Sequence, residues 1–91
     1  MLSHLSTLDV TAFSSVTVLP GWTWNFFAHN KGGEAPYTYQ WYEGMNPIQG
    51  QTSMVLPVSK NAPGVYNFYC RVTDKNGITT TSNAVTLAVM G

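Results

Sequence analysis

The chain has 91 residues, of which 44% are hydrophobic, 13% are aromatic and only 9% are charged, against about 25% charged in an average domain. This length accommodates one small domain, and the aromatic content is too high for a disordered chain. Four Lys and Arg balance four Asp and Glu, which excludes a basic nucleic-acid surface and a polybasic membrane anchor.

Strand signals dominate the chain, because β-branched and aromatic residues recur in short runs that glycine and proline interrupt. No stretch sustains helical periodicity over three turns. Asn76 and Gly77 mark a tight hairpin, and Pro57 indicates an edge strand or a bulge, because proline cannot donate a ladder hydrogen bond. In chain order, the predicted strands are a broken strand at residues 8–12 and 16–18, then residues 22–29, 37–42, 52–59, 65–74 and 78–89, the last interrupted near residues 82–83.

Alternation within these strands puts large apolar side chains on one face of each strand. The sequence therefore predicts an all-β sandwich of about seven strands, in which two aromatic-rich faces pack roughly 10 Å apart. The predicted inward residues are Trp22, Trp24, Phe26, Ala28, Tyr37, Tyr39, Trp41, Met54, Leu56, Val58, Tyr66, Phe68, Cys70, Val72, Val85, Leu87 and Val89.

Two stretches carry a recognisable pattern, GEAPYTYQWY at residues 33–42 and GVYNFYCRVTDKNG at residues 64–77. Together they resemble bacterial and viral immunoglobulin-like domains, with features of the polycystic-kidney-disease type of the same sandwich, and the resemblance extends over residues 8–90. It implies an immunoglobulin-like sandwich of two antiparallel sheets. The sandwich has no disulfide, because Cys70 is the only cysteine.

The resemblance also implies roles for five core residues. Trp41 corresponds to the central indole of the sandwich, and Tyr66 to the corner tyrosine whose hydroxyl bonds back to the backbone. Phe68 occupies the position that usually carries the inter-sheet cysteine. We therefore expect aromatic packing against Trp41, with Phe26 on the second strand, in place of the disulfide. Cys70 is predicted to be a small buried thiol.

No combination of residues predicts a catalytic, cofactor or metal site. His4 and His29 have no partners at ligand spacing, whereas a zinc site needs three or four ligands. Glu34 and Glu43 flank the third strand at opposite ends, about 25–30 Å apart at ~3.3 Å per residue, which is too far for a catalytic carboxylate pair. We therefore expect a non-enzymatic domain without a cofactor.

The candidate interface consists of aromatic and apolar residues on the outward parity of the strands, Tyr42, Tyr69, Phe27 and Val55. Tyr42 and Tyr69 fall on strands that are neighbours in the resembled fold, so we expect them to form one patch. The alternative is that all four are ordinary exposed side chains, since much of any protein surface is apolar. For Trp22 and Trp24, a place in the core is favoured over sugar stacking.

The sequence favours a structural and binding module. Because bacteriophage heads and tails commonly carry domains of the family that it resembles, the resemblance implies most of all a virion accessory protein that decorates or cements the capsid. A start at Met1, the absence of a signal peptide and the small number of charges favour assembly inside a host cell onto other virion subunits. Residues 1–7 are predicted to be an N-terminal arm, and residues 8–91 a single immunoglobulin-like domain. The expected partners are capsid proteins or further copies of the chain, with no nucleic acid and no membrane.

The alternative is an immunoglobulin-like spacer or carbohydrate-binding module from a prokaryotic cell-surface protein. In that case glycans are the partners, and Trp22, Trp24 or Tyr42 stack on sugars. Glycan affinity that depends on tryptophan would favour this alternative, whereas co-purification with capsids would favour the virion protein.

Overall fold

Nine strands in two sheets make up the fold, in a computed structural model that describes residues 7–91. The predicted arm at residues 1–7 lies outside the described residues except for Thr7, which is exposed. Within the described part of the chain, no helix is long and apolar enough to cross a membrane. In chain order the strands are β1 Asp9–Phe13, β2 Val16–Val18, β3 Thr23–Lys31, β4 Thr38–Glu43, β5 Asn46–Pro47, β6 Val55–Ser59, β7 Gly64–Thr73, β8 Thr79–Thr81 and β9 Val85–Val89.

The strands form the two-sheet, all-β sandwich that the sequence predicted. One sheet has three strands in the order β1-β3-β6. The other has six, in the order β2-β9-β7-β4-β5 with β8 also paired to β7. Neighbouring strands are antiparallel except β2 and β9, which run parallel. The expectation of antiparallel sheets is therefore wrong at this one pair.

The first predicted strand divides between the two sheets. β1 pairs with β3, whereas β2 begins only three residues after the end of β1 and pairs with β9 in the other sheet. Ser14 and Ser15 make the crossing, and the Ser15 hydroxyl accepts a hydrogen bond from the backbone N–H of Thr86 at 3.0 Å. The break indicated within this strand is thus the point where the chain changes sheet.

The core lies between the sheets and is built from the inward faces of the strands. Trp41, Phe26, Phe68 and Cys70 are each at most 1% exposed. The rings of Phe26 and Phe68 meet across the two sheets with centroids 5.5 Å apart. The indole N–H of Trp41 donates to the carbonyl of Ser53 at 2.9 Å, so the one polar atom of this side chain is satisfied.

Tyr66 lies at the margin of the core and is half-buried. Its hydroxyl donates to the carbonyl of Ala62, four residues upstream, at 2.7 Å. This is the backward bond that the resemblance implied for a corner tyrosine. The Lys60 ammonium also lies 5.1 Å from the centroid of the Tyr66 ring. Tyr66 therefore has two roles: its hydroxyl holds the turn between β6 and β7, and its ring packs against the core.

Two residues that alternation assigned to the core are exposed. Trp22 is 56% exposed and Met54 is 50% exposed, because each of them precedes the strand to which it was assigned. β3 begins at Thr23, after a turn in which the N–H of Trp22 donates to the carbonyl of Leu19. Trp24, inside β3, is partly buried and packs against the core. The alternation of apolar residues in the sequence thus continues one residue beyond the start of these two strands, where it no longer indicates burial.

Side chains bond to the backbone of one residue on each open edge of the three-stranded sheet. Pro57 lies in β6, which is an edge strand as predicted, and the Ser53 hydroxyl bonds to both the N–H and the carbonyl of Val55. On β1, the side-chain amide of Asn83 accepts from the N–H of Ala12 at 2.9 Å and donates to its carbonyl at 3.1 Å. Open strand edges recruit other chains, so these contacts remove one pairing position on each edge.

We expect Asn83→Ala to lower the free energy of unfolding by about 1–3 kcal/mol, because it leaves the N–H and carbonyl of the buried Ala12 without these partners. The substitution also opens the β1 edge, so aggregation on heating should increase. Urea unfolding followed by circular dichroism measures the first effect, and light scattering measures the second. Asn25→Ala, at an exposed position of β3, is the control; equal behaviour of the two variants would contradict the edge-capping role.

Candidate functional site

The four predicted interface residues lie on two different sheets. Tyr42 on β4 and Tyr69 on β7 belong to the six-stranded sheet, whereas Phe27 on β3 and Val55 on β6 belong to the three-stranded sheet. Each pair is directly opposite in its strand register, so each forms a cross-strand contact. We define two surfaces from them: the tyrosine face consists of Tyr42, Tyr69 and Arg71, and the phenylalanine row consists of Phe13, Phe27 and Val55.

The tyrosine face is a stack of two rings with a guanidinium beside it. The rings of Tyr42 and Tyr69 are nearly parallel, with an interplanar angle of 4° and centroids 4.9 Å apart. The guanidinium carbon of Arg71 lies 5.7 Å from the Tyr42 ring centroid, and its Nη1 donates to the Tyr42 hydroxyl at 3.4 Å. Strand pairing produces this arrangement, because positions 42 and 69 face each other and position 71 is the next outward residue of β7.

A shallow depression of about 270 Å³ lies beside the stack and is lined mainly by polar side chains. Thr73 and Thr79 share a hydrogen bond of 2.8 Å between β7 and β8. The Gln40 amide nitrogen donates to the carbonyls of Trp41 and Ile48, while its oxygen accepts no hydrogen bond within residues 7–91. The depression therefore offers both donors and acceptors. Its lining residues are Thr38, Tyr39, Gln40, Tyr42, Arg71, Thr73 and Thr79.

The phenylalanine row crosses the outer surface of the three-stranded sheet. Phe13 on β1 faces Phe27 on β3, which in turn faces Val55 on β6. Phe13 is 45% exposed and Phe27 is 50% exposed, and both line a depression of about 280 Å³. Apolar side chains exposed in one line are typical of a surface that binds another molecule.

Sequence reasoning missed Phe13 and Arg71. Phe13 lies at the end of β1, one residue beyond the predicted strand, so its pairing with Phe27 was not visible. Arg71 follows Tyr69 by two residues and shares its outward parity, which is the signal that would have grouped the two side chains.

No catalytic or metal-binding set is assembled within residues 7–91. No group of three or more His, Cys, Asp or Glu side chains in this range could hold a metal ion. His29 is exposed on β3. Glu34 accepts a hydrogen bond from the Asn76 amide at 3.0 Å, and Glu43 pairs with the Lys60 ammonium at 3.0 Å. These two carboxylates hold separate loops and do not meet at a reaction centre.

Burial raises the pKa of the Cys70 thiol from 9.0 to about 11, although a hydrogen bond with the backbone of Gln40 lowers the pKa in part. The thiolate, not the thiol, is the nucleophilic form of cysteine. Cys70 therefore belongs to the packing of the core and supplies no reactive group at neutral pH.

This shift gives stability a dependence on alkaline pH. Between about 9 and 11, Cys70 keeps its proton in the folded state while the unfolded chain loses it, so the free energy of unfolding should fall as the pH rises through that window. Urea unfolding of the natural chain and of Cys70→Ala, measured at intervals across the window, tests this. The Ala variant should lose less stability than the natural chain, and parallel losses would contradict the assignment.

Comparisons with known proteins identify the fold and nothing finer. No family model matches the sequence, and no curated protein matches it. Among solved structures, the fold is similar to the CARDB domain of an archaeal protein from Pyrococcus furiosus, crystallised in complex with di-metal ions, with a TM-score of 0.73. The two share 12% sequence identity, and the similarity covers 99% of this chain and 93% of the other. The chain thus has an immunoglobulin-like β-sandwich fold similar to that of a CARDB domain, and these comparisons do not support a phage origin.

Proposed function

We propose that this chain is a non-catalytic module of a prokaryotic cell-surface protein, in which it acts as a spacer and presents the tyrosine face for binding. The similar archaeal structure supports a modular role, since it is itself one domain of a protein. The separation of Glu34 from Glu43 and the neutral, buried Cys70 support a role without catalysis.

The observation that carries the spacer role is that Leu8 and Met90, near the two ends of the domain, lie at opposite poles. At one pole the Leu8 carbonyl accepts from the hydroxyl of Thr80, on the strand that pairs with the end of β7. At the other pole the Met90 N–H donates to the Val18 carbonyl, and β9 ends opposite Gly64, the first residue of β7. β7 connects the poles with ten residues, about 33 Å at ~3.3 Å per residue.

A domain whose chain enters at one pole and leaves at the other can extend a row of modules end to end. Two copies of the chain joined directly should therefore have a maximum dimension about 30 Å greater than one copy, by the strand rise of β7. Small-angle X-ray scattering measures this dimension. A joined pair that folds side by side, with little gain in length, would argue against a spacer.

Cell-surface exposure is tested on the source organism. Antibodies raised against the domain should label intact, unpermeabilised cells, while an antibody against a cytoplasmic protein labels only permeabilised cells. Label found on purified virions and absent from intact cells would overturn the surface location.

The phenylalanine row supports a second candidate, docking on the capsid of a bacteriophage virion. Phe13 and Phe27 each expose about half of their surface side by side on the outer face of the three-stranded sheet, which offers a flat apolar contact. If this candidate is right, Phe27→Ser should reduce the occupancy of the chain on purified capsids, whereas Tyr69→Ala on the other sheet should not. Full occupancy with Phe27→Ser would exclude the row as the capsid contact.

A further inference from the structure

We propose that the tyrosine face binds acidic polysaccharides, with a uronate carboxylate on Arg71 and the sugar hydroxyls on the polar groups of the adjoining depression. The inference deepens the proposed function, because it names the ligand class of a surface module. Three observations carry it: the charge of Arg71, the polarity of the depression and the position of β4 and β7 within the sheet.

Arg71 supplies an exposed guanidinium that no carboxylate neutralises. Lys60 pairs with Glu43 at 3.0 Å, but within residues 7–91 no Asp or Glu oxygen lies within 4.0 Å of Arg71. Tyr42 holds the guanidinium from one side, through its ring at 5.7 Å and its hydroxyl at 3.4 Å. A guanidinium presents its remaining donors in a planar fork that matches a carboxylate. The ligand is therefore expected to carry a carboxylate.

The groups around Arg71 suit a ligand rich in hydroxyls. Thr38, Thr73 and Thr79 contribute hydroxyl groups, and the Gln40 amide oxygen is oriented by the two hydrogen bonds that its nitrogen makes. At about 270 Å³ the depression is slightly smaller than the pockets that hold drug-sized molecules, which fits one sugar unit of a longer polymer. The depression should therefore accommodate one sugar unit.

The position of the face in the sheet argues against a peptide strand. β4 pairs with β7 along its whole length and with β5 only at Tyr42 and Glu43, while β7 is paired by β4 on one side and by β8 and β9 on the other. An extended peptide adds to a sheet by pairing with an open edge, and the stack of Tyr42 and Tyr69 has none beside it. One cation is also too few for a nucleic-acid backbone, whose binding depends on several phosphate contacts.

Isothermal titration calorimetry with polygalacturonate and with the neutral polymer dextran tests the proposal. The natural chain should bind polygalacturonate and not dextran, and the affinity should fall as salt is added. Arg71→Gln should weaken binding about 10-fold or more, because it removes charge-assisted hydrogen bonds. Lys75→Gln, at an exposed position of the β7–β8 hairpin, removes the same charge elsewhere and should bind as the natural chain does. Circular dichroism establishes that both variants are folded.

Several results would overturn the proposal. Absence of binding to polygalacturonate, equal binding to dextran, or equal weakening by Arg71→Gln and Lys75→Gln would each exclude an acidic-sugar site on the tyrosine face. Tighter binding of poly-glutamate than of polygalacturonate would indicate an acidic protein partner instead. None of these results changes whether antibodies label intact cells, so failure of the binding site is distinguishable from failure of the proposed surface location.

Discussion

Replacing Trp41 with alanine is expected to lower the free energy of unfolding by about 3–5 kcal/mol, the usual cost of truncating a buried aromatic residue. The side chain is 0% exposed, and its loss also leaves the Ser53 carbonyl without the indole N–H. A small domain has only about 5–15 kcal/mol of stability in total. The variant should therefore unfold at a much lower urea concentration than the natural chain.

Urea unfolding followed by far-ultraviolet circular dichroism measures this loss without relying on tryptophan fluorescence. Trp22→Ala is the matched control, because the same side chain is 56% exposed there and its removal should change stability by less than about 0.5 kcal/mol. Trp41→Phe retains an aromatic ring but no N–H donor, so its stability should lie between that of the natural chain and that of Trp41→Ala. Equal losses at positions 41 and 22 would contradict the central place of Trp41 in the core.

Alternation of apolar residues predicted the inward faces of the long strands correctly. In β7 the positions of Tyr66, Phe68, Cys70 and Val72 alternate without interruption, and the last three are at most 1% exposed. Successive side chains of an extended strand point to opposite faces, so apolar residues at every second position mark the buried face, whichever sheet the strand joins. Local sequence therefore determined which face of each strand is buried.

Sheet membership and strand ends were not predictable in this way, because they depend on distant contacts. The chain changes sheet at Ser15, whose hydroxyl is bonded by Thr86, 71 residues further on. Ala12 is capped by Asn83, also 71 residues away. No local pattern contains these pairings. Trp22 fits the alternation and is nevertheless exposed, because a turn ends just before β3 begins.

The candidate site was predictable only as single residues. Outward parity identified Tyr42, Tyr69 and Phe27 one by one, and the resembled fold correctly made the two tyrosines neighbours. Parity carries no information about which sheet a strand joins, so Phe27 was grouped with residues of the other sheet. Arg71 was not predicted as part of the site, because a single charged residue on a strand forms no sequence motif that indicates binding. Its place on the tyrosine face emerges only from its distance to the Tyr42 ring.

Phe68→Ala is expected to lower the free energy of unfolding by about 3–5 kcal/mol, and Phe26→Ala by a similar amount. Both rings are buried, and their contact at 5.5 Å joins β7 of one sheet to β3 of the other. The resembled fold usually carries a disulfide between the sheets at this level. Loss of the ring contact should therefore destabilise both sheets together, because each sheet depends on the other to cover its apolar face.

A double-mutant cycle isolates the contact itself. Phe26→Leu and Phe68→Leu keep the core apolar, so both variants and their combination should fold. Their coupling energy, from urea unfolding, should be about 0.5–1.5 kcal/mol in favour of the natural pair. Hydrogen exchange should show Leu56 in β6 and Trp41 in β4, one from each sheet, losing protection together. A coupling energy near zero would mean that the two rings stabilise the fold independently of each other. The contact between Phe26 and Phe68 would then not take the place of the disulfide that joins the sheets in the resembled fold.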